Sequence, residues 1–143
     1  MRIIKRLLIV LGIILAVGYI LGFSGNNPYV SPKRNINADD FISSCIQGDY
    51  EKVARNPDAN RGRKMYISGT VIQVIENGKN VELRVQEKTG NIWYVLYAYE
   101  NGESHILDGD QITVYGLCYG TITYQTVFGQ QLTIPGIEGY FIR

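Results

Sequence analysis

The fold is decided by one strand-like segment, residues 65–75, which reads MYISGTVIQVI. Its apolar alternation changes phase halfway along, since Ile67 and Val71 share one parity whereas Ile72 and Val74 lie on the other. Side chains on a strand alternate with a period of two, so a phase change without a loop predicts a β-bulge or a sharp coil, with Gly69 supplying the backbone freedom. Such a strand can serve two sheets, as the first strand of a small closed barrel must.

Four more strand-like segments follow at 81–86, 92–99, 111–119 and 132–142, separated by turn-forming pairs such as Asn77-Gly78. Segment 81–86 alternates cleanly, which predicts three inward side chains (Val81, Leu83, Val85) and three outward ones (Glu82, Arg84, Gln86). Segment 92–99 is apolar on both parities, so we expect both of its faces to be covered. Pro135 predicts that the last strand lies at an edge or carries a bulge. Together these segments predict a β-barrel.

The N-terminal residues 1–23 predict a membrane anchor. Three basic residues precede a run from Leu7 to Phe23 of seventeen residues without a charge. At 1.5 Å per residue this run is about 25 Å long, and the preceding apolar pair extends it to the ~30 Å of a hydrocarbon core. The basic flank places the N-terminus in the cytoplasm and the rest of the chain outside. The alternatives are a cleaved signal peptide and a buried helix.

A linker and a helix are predicted between the anchor and the first strand. Residues 24–36 are rich in glycine, asparagine and proline, which is typical of a tether. Asn37 fits a helix N-cap, and Asp39 and Asp40 follow in the first turn, where the helix dipole favours negative charge. An apolar stripe then predicts one amphipathic helix over 37–55, stopped by Pro57. The predicted organisation is an anchor (1–23), a linker (24–36) and a folded domain (37–143).

Composition limits the classes of partner and of redox chemistry. The net charge is +1, but the part after Phe23 carries eleven basic and thirteen acidic side chains. Nucleic-acid binding is therefore disfavoured, because neutralising phosphates needs an excess of Lys and Arg. Cys45 and Cys118 have no zinc-binding spacing. They are either buried free thiols or, in a domain outside the cytoplasm, a disulfide.

The sequence contains no catalytic or metal-binding constellation. His105, the only histidine, follows Ser104 and lies near two glutamates, but this local spacing is expected of an exposed loop. Asp108 and Asp110 flank Gly109, as residues of a turn do. We therefore expect no enzymatic activity, no metal and no cofactor.

A basic cluster precedes the first strand and consists of Arg55, Arg61, Arg63 and Lys64. It could meet lipid headgroups or an acidic partner. Without interleaved aromatic residues, a solvated turn is the simpler interpretation.

The chain resembles the tRNA-anti-like group of OB-fold domains, found in small membrane-tethered proteins and lipoproteins of bacteria. The resemblance covers about residues 49–143 and is carried by turns, bulges and core positions at Ala54 to Asp58, Gly62 to Lys64, Gly69 to Val74, Leu83 to Val85, Gly109 to Gly116, Thr123-Tyr124 and Ile134 to Ile137. It implies a mainly β chain: a five-stranded Greek-key barrel with one N-terminal amphipathic helix, preceded by a single transmembrane helix. No cysteine follows the apolar segment to accept the lipid that many relatives carry, which favours a peptide anchor.

OB folds bind ligands on the outer face of their second and third strands and in the loops after the first and fourth. The expected ligand-binding residues are therefore Arg84, Tyr94, Tyr119, Tyr124 and Phe128, with Arg84 and Tyr124 accessible to solvent. The expected function is a non-catalytic, membrane-anchored, extracytoplasmic module that binds or assembles with a protein, peptide or envelope polymer. The alternative is an OB domain that binds single-stranded nucleic acid or an oligosaccharide.

Overall fold

The computed structural model describes residues 36–126 and 128–143, and within these ranges the chain is mainly β. The helices are α1 (Ala38–Ser43), α2 (Tyr50–Arg55) and α3 (Pro57–Asn60). The strands are β1 (Ile46–Gln47), β2 (Lys64–Asn77), β3 (Asn80–Gln86), β4 (Ile92–Ala98), β5 (Gln111–Gln125) and β6 (Gln131–Ile142).

The five long strands close into a ring. The sheet has the order β1-β2-β3-β4-β6-β5, and β2 also pairs with β5. The β2–β3, β3–β4 and β2–β5 pairs are antiparallel, whereas β4 and β6 are parallel. β1 adds a two-residue parallel pairing to β2. This mixed sheet is consistent with an OB-like fold, in which five strands form a Greek-key barrel.

β2 is shared between two neighbours, as its phase change predicts. Residues 64–70 pair with β5, and residues 70–77 pair with β3. The register with β3 shifts between Val71 and Gln73, which leaves Ile72 as the extra residue of a bulge. At Gly69 a Cβ atom would overlap the carbonyl oxygen of Gln86. Glycine therefore permits the close approach of β3 just before the bulge.

The barrel interior is filled by alternate side chains of the five strands. Val81, Leu83 and Val85 are fully buried, as their alternation on β3 predicts. The other strands contribute the buried residues Ile67, Val71, Trp93, Val95, Val114 and Ile137. On β4 both parities are buried, which confirms that both faces of this strand are covered.

The single helix predicted over 37–55 is wrong, because two short helices flank β1 there. Asn37 caps α1 as predicted, its side chain accepting a hydrogen bond from the Asp40 N–H at 3.1 Å. A second cap at Asp49 starts α2. The helical spacing of apolar residues over 37–55 does not show that Ile46 and Gln47, within this range, pair with β2.

Gly48 explains the break between α1 and α2. Its N–H donates to the carbonyl oxygen of Tyr66 at 2.8 Å. A Cβ atom at Gly48 would lie 2.9 Å from Ile67 Cγ2 and 3.4 Å from the Trp93 ring. Glycine therefore lets the segment after β1 lie close against the Ile67 and Trp93 side chains.

Of the two positions predicted for Pro135, an edge strand or a bulge, the structure excludes the edge. β6 lies between β4 and β5 and is not an edge strand. Pro135 is fully buried and directly precedes Gly136, the first residue of β6 that pairs with β4. Proline is thus accommodated at the start of this ladder rather than at an edge.

Cys45 and Cys118 are free thiols, half-buried and buried respectively. Burial raises the pKa of both thiols above the ordinary value.

The described residues form two compact units. We call residues 36–122 and 134–143 the barrel, and residues 123–126 and 128–133 the hairpin end. The predicted anchor and residues 24–35 of the predicted linker lie outside the described residues. In the part of the chain that the structure describes, no helix has the length and apolar character needed to cross a bilayer.

Candidate functional site

Three of the predicted ligand-binding residues lie together on the outer face of the barrel. Arg84 on β3 pairs with Tyr94 on β4, and Tyr94 pairs with Gly136 on β6. A Cβ atom at Gly136 would lie 3.2 Å from the Tyr94 ring and 3.4 Å from Tyr119 Cβ on β5. The missing side chain of Gly136 therefore lets the two tyrosines meet across β6.

With Arg61, these residues form a row in which two neighbouring tyrosine rings have one arginine at each end. The Arg84 guanidinium carbon lies 4.8 Å from the Tyr94 ring centroid, and the Tyr94 and Tyr119 centroids are 6.2 Å apart. Arg61, which sequence reasoning did not assign to this site, lies 5.8 Å from the Tyr119 centroid and donates to the Tyr119 carbonyl oxygen at 2.7 Å. Cation–π attraction holds each guanidinium over its ring.

Half of this row is buried. Arg84 is 2% exposed and Tyr94 is 6% exposed, whereas Tyr119 is 39% exposed. The prediction that Arg84 is accessible to solvent is therefore wrong. Alternation along β3 tells which side Arg84 faces, but not how deeply that side is covered. Burial, followed by the Glu82 carboxylate, raises the pKa of Tyr94, so its hydroxyl stays protonated.

A buried polar layer surrounds Arg84. Gln73 lies opposite Arg84 on β2, and Glu82 lies two residues before it on β3. Gln73 Oε1 and Glu82 Oε2 are buried and accept no hydrogen bond from any described residue. Because the Arg84 guanidinium is buried in this layer and lies over the Tyr94 ring, Arg84 belongs to the architecture of the face.

The other two predicted residues lie in the hairpin end. Tyr124 is half-buried, whereas Phe128 is 87% exposed, the highest exposure of any large hydrophobic residue in the described ranges.

A groove of about 1060 Å³ opens on the barrel, and the sequence did not predict it. The first half of β2, the start of β5, the 86–91 turn and the 47–51 segment line it. Its neutral hydrogen-bonding side chains are Ser68, Thr70, Gln86, Asn91, Gln111 and Thr113. Its charged side chains are Asp49, Glu51, Glu87, Lys88 and Arg143.

Ser68 turns its backbone polar groups toward this groove. Its β5 partner Thr113 exchanges backbone hydrogen bonds with Arg143, at 2.7 and 3.0 Å. Because backbone groups alternate in direction along antiparallel strands, the N–H and C=O of Ser68 point away from β5. On that other side β1 pairs only as far as Tyr66, and β3 begins its pairing at Thr70. The β2 ladder thus has a gap at Ser68 among the described residues.

Glu87 fixes the turn that borders the groove. Its Oε1 accepts a hydrogen bond from Trp93 Nε1 at 2.9 Å, and its Oε2 accepts from Thr89 Oγ1 and Asn91 Nδ2 at 3.2 and 3.4 Å. Tyr50 packs edge-on against Trp93, with 5.5 Å between the ring centroids. This side of the groove is therefore preorganised around a buried tryptophan.

His105 lies on an exposed connection, as the sequence predicts, and contacts a side chain distant in sequence. Its Nδ1 lies 2.8 Å from Glu76 Oε1, which also accepts a hydrogen bond from the Tyr99 hydroxyl at 3.0 Å. The hydrogen bond with His105 lowers the pKa of Glu76. Between residues 36 and 143, apart from 127, no cluster of three His, Cys, Asp or Glu side chains is placed to hold a metal ion.

The basic cluster is exposed, and its members contact nearby residues. Arg55 pairs with Glu51 at 3.2 Å, and Arg63 donates to Asn60 Oδ1 at 3.1 Å. Lys64 Nζ lies 5.2 Å from the Phe41 ring centroid. Of these contacts, that of Lys64 joins α1 to β2, whereas the contacts of Arg55 and Arg63 are with residues close to them in the sequence.

Comparison with known proteins shows likeness in fold only. No protein-family model matches the chain, and no curated protein sequence matches it. Aspartyl tRNA synthetase from Entamoeba histolytica is similar in structure, with a TM-score of 0.50 and 13% identity over 79% of this chain and 24% of the synthetase chain. Asparaginyl-tRNA synthetase from Pyrococcus horikoshii, complexed with asparaginyl-adenylate, has a TM-score of 0.46 and 16% identity over 68% of this chain and 22% of its own. This chain therefore spans about a quarter of the length of these enzymes, and the first likeness agrees with the tRNA-anti-like OB fold that the sequence resembles.

Proposed function

We propose that this protein is a membrane-anchored binding module whose barrel acts outside the cytoplasm. Its ligand is an extended segment of a protein, peptide or envelope polymer, and it catalyses no reaction on that ligand. The groove of about 1060 Å³ carries this proposal. A large concave surface with converging polar groups is the feature by which binding sites are most often recognised.

The lining of the groove suits an extended polar ligand. The N–H and C=O of Ser68 offer one donor and one acceptor where the β2 ladder is interrupted. Hydroxyl and amide side chains at Thr70, Gln111 and Thr113 continue this surface. Main-chain hydrogen bonds of this kind give affinity to extended peptides, and hydroxyl-rich polymers use the same donors and acceptors. The charged lining residues are of both signs, which does not favour a polyphosphate.

The membrane attachment in this proposal comes from the sequence of residues 1–23. The uncharged run and its basic flank support an anchor with the domain outside.

A second candidate, binding of single-stranded nucleic acid or an oligosaccharide, is favoured by the exposed end of the cation–aromatic row. Tyr119 is 39% exposed, and Arg61 lies beside its ring. A base or a sugar ring could stack on this tyrosine.

Site-specific photocrosslinking in the living cell tests the groove. A benzoylphenylalanine at Gln111, an exposed lining residue, is compared with one at Lys79, an exposed residue of the β2–β3 turn outside the groove. We expect a discrete adduct from position 111 and none from position 79. Ser68→Trp, which adds bulk to the groove, should remove the adduct.

Equal labelling at both positions, or no adduct at position 111, would contradict the groove as the binding site. The second candidate is tested with fluorescein-labelled oligo-dT and with a chitin oligomer, each titrated against the parent and Tyr119→Ala. Saturable binding that the tyrosine substitution weakens would favour the second candidate over the first.

A further inference from the structure

We propose that the hairpin end inserts its tip, centred on Phe128, into the interfacial region of a lipid bilayer. This inference is independent of the groove, since it depends only on the composition of the hairpin end and on its internal contacts.

The hairpin end lies in the longest uncharged part of the chain after the N-terminal segment. From Gln111 to Ile137 the sequence contains no Asp, Glu, Lys or Arg over 27 residues. Charged side chains account for 19% of the whole chain, so this gap is unusual. Charges are the groups that are most costly to move toward hydrocarbon. Because the hairpin end contains no charged side chain, its insertion into lipid does not carry this cost.

The tip presents apolar surface outward. Phe128 is 87% exposed, and Leu132 is 38% exposed. Isolated exposed apolar side chains are common on proteins. An almost fully exposed phenylalanine on a hairpin turn, next to Val127 in the sequence and without a charge nearby, is a stronger feature.

Polar groups on the two sides of Phe128 bond to one another. Thr126 N–H donates to the Gln130 carbonyl at 2.7 Å, and Gly129 N–H donates to the Thr126 carbonyl at 2.9 Å. Gln130 N–H donates to the Thr126 hydroxyl at 3.2 Å, and the Gln125 amide donates to the Gly129 carbonyl at 3.2 Å. Gly129 has a φ of +78°, which side-chain-bearing residues rarely adopt.

This internal bonding fits a bilayer better than a protein pocket. Backbone groups that enter an apolar phase must already be paired, because lipid cannot hydrogen-bond to them. A protein partner, in contrast, usually forms hydrogen bonds at the rim of the interface with polar groups that have no partner in the free protein. Threonine and glutamine on the flanks of the tip suit the headgroup region, while Phe128 suits the outer part of the acyl chains.

Fluorescence quenching by brominated lipid tests the insertion. The full chain is reconstituted in phosphatidylcholine nanodiscs with and without brominated acyl chains, as Phe128→Trp and as the control Thr89→Trp. Thr89 is exposed on the β3–β4 turn, so its tryptophan reports on general proximity to the lipid. The parent, which contains only the fully buried Trp93, supplies the background.

We expect blue-shifted emission and about two-fold quenching for Phe128→Trp, because tryptophan at the interface lies among the acyl carbons. Thr89→Trp should be unquenched, and Gln130→Trp, on the same turn, should repeat the result at position 128. Equal quenching at positions 89 and 128 would overturn the proposal. A blue shift at position 128 without quenching would overturn it too, because it would mean that protein covers the tip.

Discussion

Gly69 has no space for a side chain, because the backbone of β3 approaches it closely. A Cβ atom would overlap the Gln86 carbonyl oxygen and lie 3.0 Å from Val85 Cγ1. Since the clash is with backbone, we expect Gly69→Val to lower the free energy of unfolding by about 1–3 kcal/mol. Thermal unfolding followed by circular dichroism measures this change. Ser68→Val, on the neighbouring exposed position, should stay within about 0.5 kcal/mol of the parent. Equal melting temperatures for both variants would contradict the close approach.

Arg84 is the residue for which the structure changes the expected effect of a substitution. If Arg84 were accessible to solvent, Arg84→Ala would lower the free energy of unfolding by less than about 0.5 kcal/mol. Because its buried guanidinium lies over Tyr94, Arg84→Ala should instead cost about 2–4 kcal/mol. Urea unfolding measures the difference, with Lys88→Ala as the exposed control. A loss as small as that of the control would return Arg84 to the candidate binding residues.

At the scale of elements, one carboxylate on β2 holds the first part of the connection between β4 and β5, whose last residues bond to the backbone of Val71. Glu76 Oε1 accepts from the Tyr99 hydroxyl and contacts His105 Nδ1, while the Tyr99 hydroxyl oxygen accepts from the Ile106 N–H at 2.8 Å. The ionised carboxylate therefore fastens the connection at its start, through Tyr99, and at its middle, through His105. A cavity of about 460 Å³, lined in part by Glu76, His105 and Leu107, lies beside it.

This arrangement predicts a pH dependence. Because the pKa of Glu76 is lowered in the folded protein, the unfolded chain takes up a proton more readily. The stabilisation of the folded protein by the Glu76 carboxylate is fully present above the pKa of about 4.3 that a glutamate has in the unfolded chain. It is lost as the pH falls through the lower pKa that Glu76 has in the folded protein. Glu76→Gln should therefore reduce the melting temperature at neutral pH and reduce its change between about pH 5 and pH 3, the range in which carboxylates titrate. Equal pH profiles for parent and variant would show that other carboxylates account for the loss.

The five long strands could be predicted from the sequence, whereas β1 and the division of 37–55 into two short helices could not. Alternation on β3 and the phase change of β2 are local signals, and both correspond to observed side-chain positions. The 37–55 segment carries a helical stripe, yet β1 interrupts it because residues 46 and 47 pair with Met65 and Tyr66. A local pattern does not contain this long-range pairing.

At the scale of the whole molecule, the sequence predicted part of a face but not the groove. Arg84, Tyr94 and Tyr119 meet because their parities place them on one side of adjacent strands. Their burial depends on how the face is covered, which parity does not tell. The groove arises where β1 ends and β3 begins on the same side of β2, so it depends on the register of three strands. The sequence signals close to the groove are Gly48 and Gly69, two glycines at which another segment approaches the backbone closely.

The last prediction concerns the position of the molecule at the membrane. If residues 1–23 remain as an anchor with the domain outside, protease added to intact cells should digest the domain and leave a fragment of a few kilodaltons in the membrane. A cytoplasmic protein in the same cells, which should stay intact, controls for lysis. Release of an undigested domain into the medium, with a new N-terminus near Gly25, would show that the segment is a cleaved signal peptide. Protection of the domain in intact cells and its digestion after lysis would place it in the cytoplasm. That outcome would remove the envelope polymer from the proposed ligands, while the groove could still bind a peptide.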